Sequence, residues 1–282
     1  MSRMTCELLL RLDGNLLEAP CWDPRDERLL WVDIPNRTVY AMSWASGNVT
    51  TVTTLEEVSA VLPLADAGEV LACRSGLTAS ADPDRIRLPI ESHRSWARTN
   101  DAACDPAGRL WVGTMADDAS PGTGTLYRVE PDWSCHAVVG DLTISNGLGW
   151  SPSGDLMYVI DSATRALDVF DYDIATGAVD ARRTLVDTSE WPGLPDGLAV
   201  DVEGAIWVAF YGGSAVRRFA PDGHLLATVE VPTENPTSCA FAGPALDQLV
   251  ITTARASDQS SGGDLYVLRP GTTGLPHRPF AG

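Results

Sequence analysis

The sequence predicts an all-β protein, a six-bladed β-propeller, and three observations support this fold. A short apolar run recurs six times, most copies follow a turn of similar chemistry, and no long amphipathic helix interrupts them. A chain of 282 residues can bury a sizeable core, and no low-complexity linker divides it. We therefore expect residues 1–282 to form a single propeller domain.

The recurring run is rich in β-branched and aromatic residues, as expected for a buried strand. Its copies begin 40, 40, 47, 49 and 43 residues apart, which is typical of a propeller blade. This period is too long for one rung of a β-helix, and six regular copies are awkward for a pair of β-sandwiches. The copies are residues 29–33, 69–73, 109–113, 156–160, 205–209 and 248–252.

Most of these runs follow a turn of the form Asp-Pro-x-Gly or a close variant. Proline presets φ at the second turn position, and glycine adopts the positive φ at the end. In a propeller, the strand before such a turn would be the innermost strand of its blade. Tryptophans recur within the runs and are expected to pack between blades. The turns are residues 105–108, 151–154, 201–204 and, more loosely, 23–26, and the tryptophans are Trp31, Trp111 and Trp207.

The composition excludes several classes of function. A net charge of -18 and a pI near 4.4 argue against nucleic-acid binding, which requires a basic surface. The chain has no lysine, which excludes Schiff-base catalysis and a P-loop lysine. Its 6 dispersed cysteines suit free thiols in a reducing compartment. The N-terminal apolar run is too short for a signal peptide or a membrane span, so we expect a cytoplasmic protein that does not bind membranes.

An oxygen-bearing side chain occupies the same place in four of the six repeats, five residues before the turn. Equivalent positions of the innermost strands converge on the central channel of a propeller, so these side chains should meet there. Two carboxylates and two amides suit one hard or borderline divalent cation. Turn propensity alone would explain a single such residue, but four in register indicate a site. The four are Glu18, Asn100, Asn146 and Asp196.

The segments around these residues resemble the senescence marker protein / gluconolactonase / regucalcin-like family of six-bladed propellers. The likeness runs over essentially the whole chain and is specific in combination. It implies one catalytic divalent metal ion, which could be calcium, zinc, manganese or ferrous iron, and hydrolysis of sugar lactones such as glucono-, xylono- or arabinonolactone to aldonic acids. The segments that carry it are residues 17–22, 30–34, 98–115, 144–150, 195–201 and 252–255.

The resemblance also implies roles for individual residues. The metal would be held by Glu18, Asn146 and Asp196. Asn100 would contact the substrate or a metal-bound water, and Arg98 would bind substrate hydroxyls. Hydrolysis would use metal-activated water, and we expect Asp196 to act as the general base.

Three further residues are candidates for the same site. Asp101 would lie beside the cluster and is a second possibility for the general base. Asp118 falls near the place where some members of the family have a substrate-contacting glutamate. Tyr211 precedes a Gly-Gly pair that could place it at the channel mouth, where it would bind substrate.

Other functions fit the same ligand set. One is an organophosphate-hydrolysing calcium propeller, and the other is a non-enzymatic calcium-binding regulatory protein or an interaction scaffold. Arg98 and the Asn100–Asp101 pair suit a polyhydroxylated substrate better than a phosphotriester. We therefore expect a small sugar lactone as partner, no nucleic acid or membrane, and a monomer or weak homo-oligomer.

Overall fold

The structure is a computed structural model that describes residues 2–256 and 261–282, and it consists of six β-sheets. The first strand of each sheet contacts the first strands of both neighbouring sheets, which closes a ring around a central channel. This confirms the six-bladed β-propeller. Within the described residues, helix is limited to one 3₁₀ turn, Ser162–Thr164. None of that part of the chain forms a helix with the length and apolarity needed to cross a membrane.

The strands follow one another in chain order, and each blade is numbered from its first strand. Two strands precede blade 1, β1 (Ser2–Thr5) and β2 (Glu7–Leu10). Blade 1 contains β3 (Leu17–Asp23), β4 (Arg28–Asp33), β5 (Thr38–Ser43) and β6 (Val49–Thr53). Blade 2 contains β7 (Val58–Pro63), β8 (Glu69–Cys73), β9 (Gly76–Ala79) and β10 (Leu88–Pro89). Blade 3 contains β11 (Ala97–Cys104), β12 (Leu110–Ala116), β13 (Gly124–Val129) and β14 (Cys135–Leu142). Blade 4 contains β15 (Ser145–Trp150), β16 (Leu156–Asp161), β17 (Ala166–Asp173) and β18 (Ala178–Asp187). Blade 5 contains β19 (Leu194–Val200), β20 (Ile206–Tyr211), β21 (Ala215–Phe219) and β22 (Leu225–Glu230). Blade 6 contains β23 (Asn235–Ala242), β24 (Gln248–Ala254) and β25 (Leu265–Leu268).

The six apolar runs found in the sequence all lie at the second strand of a blade, as predicted. Trp31, Trp111 and Trp207 are fully buried there. The indole N–H groups of Trp111 and Trp207 donate hydrogen bonds of 3.2 and 3.0 Å to Asp105 and Asp201, the first residues of two turns. Trp111 and Trp207 therefore link the core to the turns, and the complete burial of all three tryptophans confirms their structural role.

The predicted turns join the first strand of a blade to the second. In blade 3, Oδ1 of Asp105 accepts hydrogen bonds from the N–H groups of Ala107 and Arg109 at 2.8 and 3.0 Å. Gly108 closes this turn with φ of 83°, a conformation that favours glycine. The side chain of the first residue and the backbone of the last thus both shape the turn.

Every innermost strand has a β-bulge near its beginning, and the repeat pattern of the sequence contains no sign of it. A bulge turns side chains out of the regular alternation of a strand and is frequent beside functional sites. Because all six strands have one at the same end, the re-aimed residues surround one end of the channel. The pairing shifts between Glu18 and Cys21, Val58 and Ala60, Thr99 and Ala102, Asn146 and Leu148, Pro195 and Leu198, and Pro236 and Ser238.

The N-terminal strands close the ring. β1 pairs in parallel with β22 as a fifth strand of blade 5, and β2 pairs antiparallel with β25 as the outer strand of blade 6. The chain then enters blade 1, so its first strands bind the two sheets that are completed last. The six cysteines form no disulfide, as expected for free thiols.

Candidate active site

The bulges bring the predicted polar residues together at one end of the channel. Asn100 on β11 donates a hydrogen bond of 3.1 Å from Nδ2 to Oδ1 of Asn146 on β15. Asp196 of β19 lies close enough to Glu18 of β3 and to Asp101 of β11 for both carboxylates to raise its pKa. Asn146 and Asp196 are buried, with exposed fractions of 8% and 7%. Residues from four blades therefore form one cluster.

Three carboxyl groups lie close together in this cluster, and burial makes each of them less acidic. Burial, with a further contribution from Asp101, raises the pKa of Glu18 to about 8. Burial also raises the pKa of Asp101 to about 6. The pKa of Asp196 rises well above its usual range, again mainly through burial. The raised pKa values show that the surroundings do not stabilise three ionised carboxylates together. A cation bound there would favour the ionised form of each carboxyl group.

The residues present fit a hard divalent cation. Oδ1 of Asp196 is buried and has no hydrogen-bond partner within the described part of the chain, so this oxygen is available as a ligand. Among residues 2–256 and 261–282, no three His, Cys, Asp or Glu side chains form a metal-binding group by themselves. A site here therefore depends on the amide oxygen of Asn146 beside the carboxylates of Glu18 and Asp196, a donor set that suits calcium or manganese well.

The two remaining blades contribute hydroxyl groups at the same level. Ser59 lies in the bulge of β7, and its Oγ is 2.8 Å from Oγ1 of Thr99. Thr237 lies in the bulge of β23 and donates a hydrogen bond of 2.6 Å to the carbonyl of Leu17. Both hydroxyls bond sideways to the next blade, so they brace the ring around the four blades that supply the carboxylates and amides.

Arg98 lies beside the cluster, and several of its neighbours were not identified from the sequence. Its guanidinium donates a hydrogen bond of 3.0 Å to the carbonyl of Thr99. Burial lowers the pKa of Arg98, while the carboxylates of Glu57 and Asp117 oppose this shift. Both carboxylates also form ion pairs with Arg74. Arg98 is thus a half-buried cation next to an ion-pair network that comes from neighbouring loops.

The last two candidates lie in different surroundings. Asp118 is exposed, and its Oδ1 accepts hydrogen bonds from the N–H and hydroxyl of Ser120 at 3.0 and 2.7 Å. Its carboxylate therefore bonds within its own loop, whereas the neighbouring Asp117 contacts the network beside Arg98. Tyr211 ends β20 and is 39% exposed. Burial and then the charge of Asp196 raise its pKa, so Tyr211 lies within electrostatic range of the cluster.

A cavity of about 280 Å³ occupies the channel next to the cluster. Asp101 lines one end of it, and the C-terminal residues 275–278 line the other. The segment continues to Phe280, which donates a backbone hydrogen bond of 2.9 Å to Pro63 in blade 2. Within the cavity, Nδ1 of His277 is 3.8 Å from Sγ of Cys21. The C-terminal segment thus crosses the end of the channel where the turns lie, opposite the beginning of the inner strands.

Comparison with known proteins gives consistent matches over the length of the chain. Residues 16–255 match the profile of the SMP-30/Gluconolactonase/LRE-like region. The chain is 33% identical to regucalcin from Bos taurus over 299 aligned positions, which cover 100% of both chains. It superposes with a TM-score of 0.93 on the crystal structure of a calcium-binding protein, regucalcin, from Agrobacterium tumefaciens, at 28% identity and 99% coverage of both. A luciferin-regenerating enzyme is 32% identical, with a TM-score of 0.88 and coverage of 94% and 95%.

Proposed function

Because the chain belongs to the SMP-30/gluconolactonase/LRE-like family, we propose that it hydrolyses sugar lactones to aldonic acids with one divalent cation. Glu18, Asn146 and Asp196 would hold this cation. The observation that carries the proposal is the group of carboxyls in the channel, among which Asp196 is buried and its Oδ1 has no hydrogen-bond partner in the described part of the chain. Such a group of acids suits cation binding better than a packing role, because buried charges need compensation.

The chemistry that the cation supplies when bound is Lewis-acid polarisation of the lactone carbonyl and activation of water. The protein's own residues must place the substrate and handle the protons. Asp196 is the proposed general base, since a carboxylate can hold the cation through one oxygen and accept the proton of the attacking water with the other. As the C–O ring bond breaks, that proton passes to the ring oxygen, which leaves as the hydroxyl of the aldonic acid.

Asp101 is the second candidate for the base. Its pKa of about 6 leaves a large ionised fraction near neutral pH while keeping useful basicity. It also lines the cavity, where a water molecule has room. Asp196→Asn and Asp101→Asn distinguish these roles. The pH dependence of the hydrolysis rate reports the ionisation of the general base, and only the variant that lacks this base loses that ionisation.

The remaining candidates would bind the substrate. Arg98 is a half-buried cation with several donors, which suits the hydroxyls and the carbonyl of a sugar lactone. Asn100 would contact the substrate from the channel wall. Tyr211 would donate its hydroxyl to the substrate at the channel mouth. Asp118 would have to break its hydrogen bonds with Ser120 before it could contact the substrate.

The proposal is tested with a panel of aldonolactones. The protein is stripped with a chelator and then resupplied with calcium, manganese, zinc or ferrous ions in turn, and ring opening is followed by acid release. We expect hydrolysis to stop on chelation and to return with at least one ion. Unchanged hydrolysis by the stripped protein would refute the cation-dependent mechanism.

A second candidate function is non-enzymatic calcium binding, which is favoured by the description of the Agrobacterium tumefaciens relative as a calcium-binding protein. Calcium binding with no hydrolysis of any lactone in the panel would support it. A phosphotriester included in the same panel tests the organophosphate hydrolase alternative.

A further inference from the structure

The amide of Asn146 is fixed by a chain of hydrogen bonds whose direction can be deduced. The carbonyl of Ser145 only accepts, so the Asn100 atom that lies 2.9 Å from it must be Nδ2. The same Nδ2 lies 3.1 Å from one amide atom of Asn146. That atom must be Oδ1, because two NH₂ groups cannot hydrogen-bond to each other.

The other amide atom of Asn146 is therefore Nδ2, and it donates a hydrogen bond of 2.9 Å to Oγ of Ser162. Oδ1 of Asn146 has two lone pairs, of which Asn100 uses one, so the second remains for another partner. The orientation of the amide thus depends on Asn100 at one atom and on Ser162 at the other.

Ser162 is held rigidly. It is 3% exposed, and its N–H donates a hydrogen bond of 3.1 Å to the carbonyl of Ile144. The preceding residue, Asp161, accepts the N–H groups of Thr143 and Ile144 at 2.9 and 3.0 Å. The serine hydroxyl is therefore a fixed acceptor at the beginning of β15.

Blade 1 has the same arrangement without the serine. Asp33 accepts the N–H groups of Asn15 and Leu16 at 2.9 and 3.2 Å, but the residue that follows it is Ile34. The candidate ligand of blade 1 is Glu18, whose two carboxylate oxygens are chemically equivalent. Blade 4, whose candidate ligand is an amide with one oxygen and one nitrogen atom, thus has a serine hydroxyl that bonds to the amide nitrogen. Blade 1, whose candidate ligand is a carboxylate, has no such hydroxyl at this place.

We propose that Ser162 is a positioning residue that fixes the side-chain amide of Asn146 with its oxygen towards a bound divalent cation. This inference rests on the proposed function for the presence of the cation. Groups that orient metal ligands typically change metal affinity about 10- to 100-fold when they are removed, and we expect Ser162→Ala to weaken cation binding by that factor.

The experiment compares Ser162→Ala with Ser151→Ala in the full-length protein. Ser151 is a buried serine at the other end of the same hairpin, where it accepts the N–H of Leu156 at 3.1 Å. Ser151→Ala removes this hydroxyl and also weakens the hairpin, but it removes no hydrogen bond of Asn146. Calcium and manganese affinities are measured by titration calorimetry, and unfolding temperatures are recorded for both variants.

A second readout needs no cation. Hydrogen exchange of the Asn146 side-chain amide is measured by NMR, with the resonance assigned by its absence in Asn146→Ala. Loss of one acceptor should speed this exchange about tenfold in Ser162→Ala, with no change in Ser151→Ala. Ser162→Thr, which keeps the hydroxyl, should resemble the wild type.

The outcomes separate the two proposals. Unchanged amide exchange in Ser162→Ala, or an equal loss of affinity in Ser151→Ala, would overturn the positioning role. Failure of the wild-type protein to bind any of calcium, manganese, zinc and ferrous ions would contradict the proposed function, while the amide exchange would still decide the role of Ser162.

Discussion

Gly147 packs against the backbone of Asp196 so closely that a Cβ atom on Gly147 would lie 2.6 Å from the Asp196 carbonyl oxygen. The same atom would lie 2.9 Å from Cδ1 of Ile160. The innermost strands of blades 4 and 5 thus meet at backbone contact next to two candidate ligands, Asn146 and Asp196. The absence of a side chain at Gly147 sets the separation of these ligands.

Gly147→Ala should therefore damage the site as well as the fold. The new methyl group meets a backbone oxygen that cannot rotate away, so we expect a loss of about 1–3 kcal/mol in the free energy of unfolding and weaker cation binding. Gly140→Ala is the matched control, because a Cβ there has no atom within 4 Å. Thermal unfolding and calorimetric titration of both variants check this, and equal cation affinity would contradict it.

Asp196→Asn should abolish most lactone hydrolysis. The amide cannot accept the proton of the attacking water, and loss of a general base costs about 10²- to 10⁴-fold in turnover. Turnover is measured at saturating cation, so that weaker binding does not mask the effect. Asp222→Asn serves as an exposed control. Wild-type turnover in Asp196→Asn would transfer the role of base to Asp101.

The cation-free protein should lose stability as the pH rises. Its Glu18 has a pKa of about 8 instead of 4.5, so between these values the folded state holds a proton that the unfolded chain has released. Stability then falls with increasing pH across that window, since the folded state binds more protons. Unfolding temperatures of the chelated protein, recorded from about pH 5 to about pH 8, should decline, and Glu18→Gln should reduce the decline.

Cation binding has the opposite pH dependence. The ion binds ionised carboxylates, so its affinity should rise over the same window and binding should release protons. Calorimetry in two buffers of different ionisation enthalpy counts these protons near neutral pH. A proton release of zero would show that the carboxyls of Glu18 and Asp196 are already ionised without a cation.

Arg98→Gln should weaken substrate binding. Hydrogen bonds from a charged donor contribute about 1.5–3 kcal/mol, which corresponds to roughly a 10- to 100-fold increase in KM for the best lactone. Arg94→Gln is a control from the loop that precedes β11, since Arg94 pairs with Glu91 at 3.4 Å instead of facing the cluster. An unchanged KM in Arg98→Gln would leave this arginine with a structural role only.

Much of the fold could be predicted because its signals are local. The apolar runs, the turn residues Asp105 and Asp201 and the positive φ of Gly108 each follow from a few adjacent residues. The β-bulges could not be predicted, because they arise where six strands converge on one channel and each strand adapts to its neighbours. The pairing of β1 with blade 5 likewise depends on contacts between residues far apart in sequence.

The candidate ligands could be found because the repeats place them at a constant distance before each turn. The residues around them obey no such rule. Glu57, Arg74 and Asp117 come from three different loops, and only the folded ring brings them beside Arg98. Ser162 had a weak signal, since it follows Asp161 at the end of β16, but nothing in the sequence relates that position to Asn146.

The pairing of β2 with β25 determines when blade 6 can be completed during synthesis. Residues 7–10 leave the ribosome long before their partners at residues 265–268. Until then blade 6 lacks the strand that joins β24 to β2, and the nascent chain exposes unpaired strand edges that favour aggregation. A stop codon shortly before residue 265 would therefore produce five sheets and part of a sixth, with β2 left without the strand it pairs with.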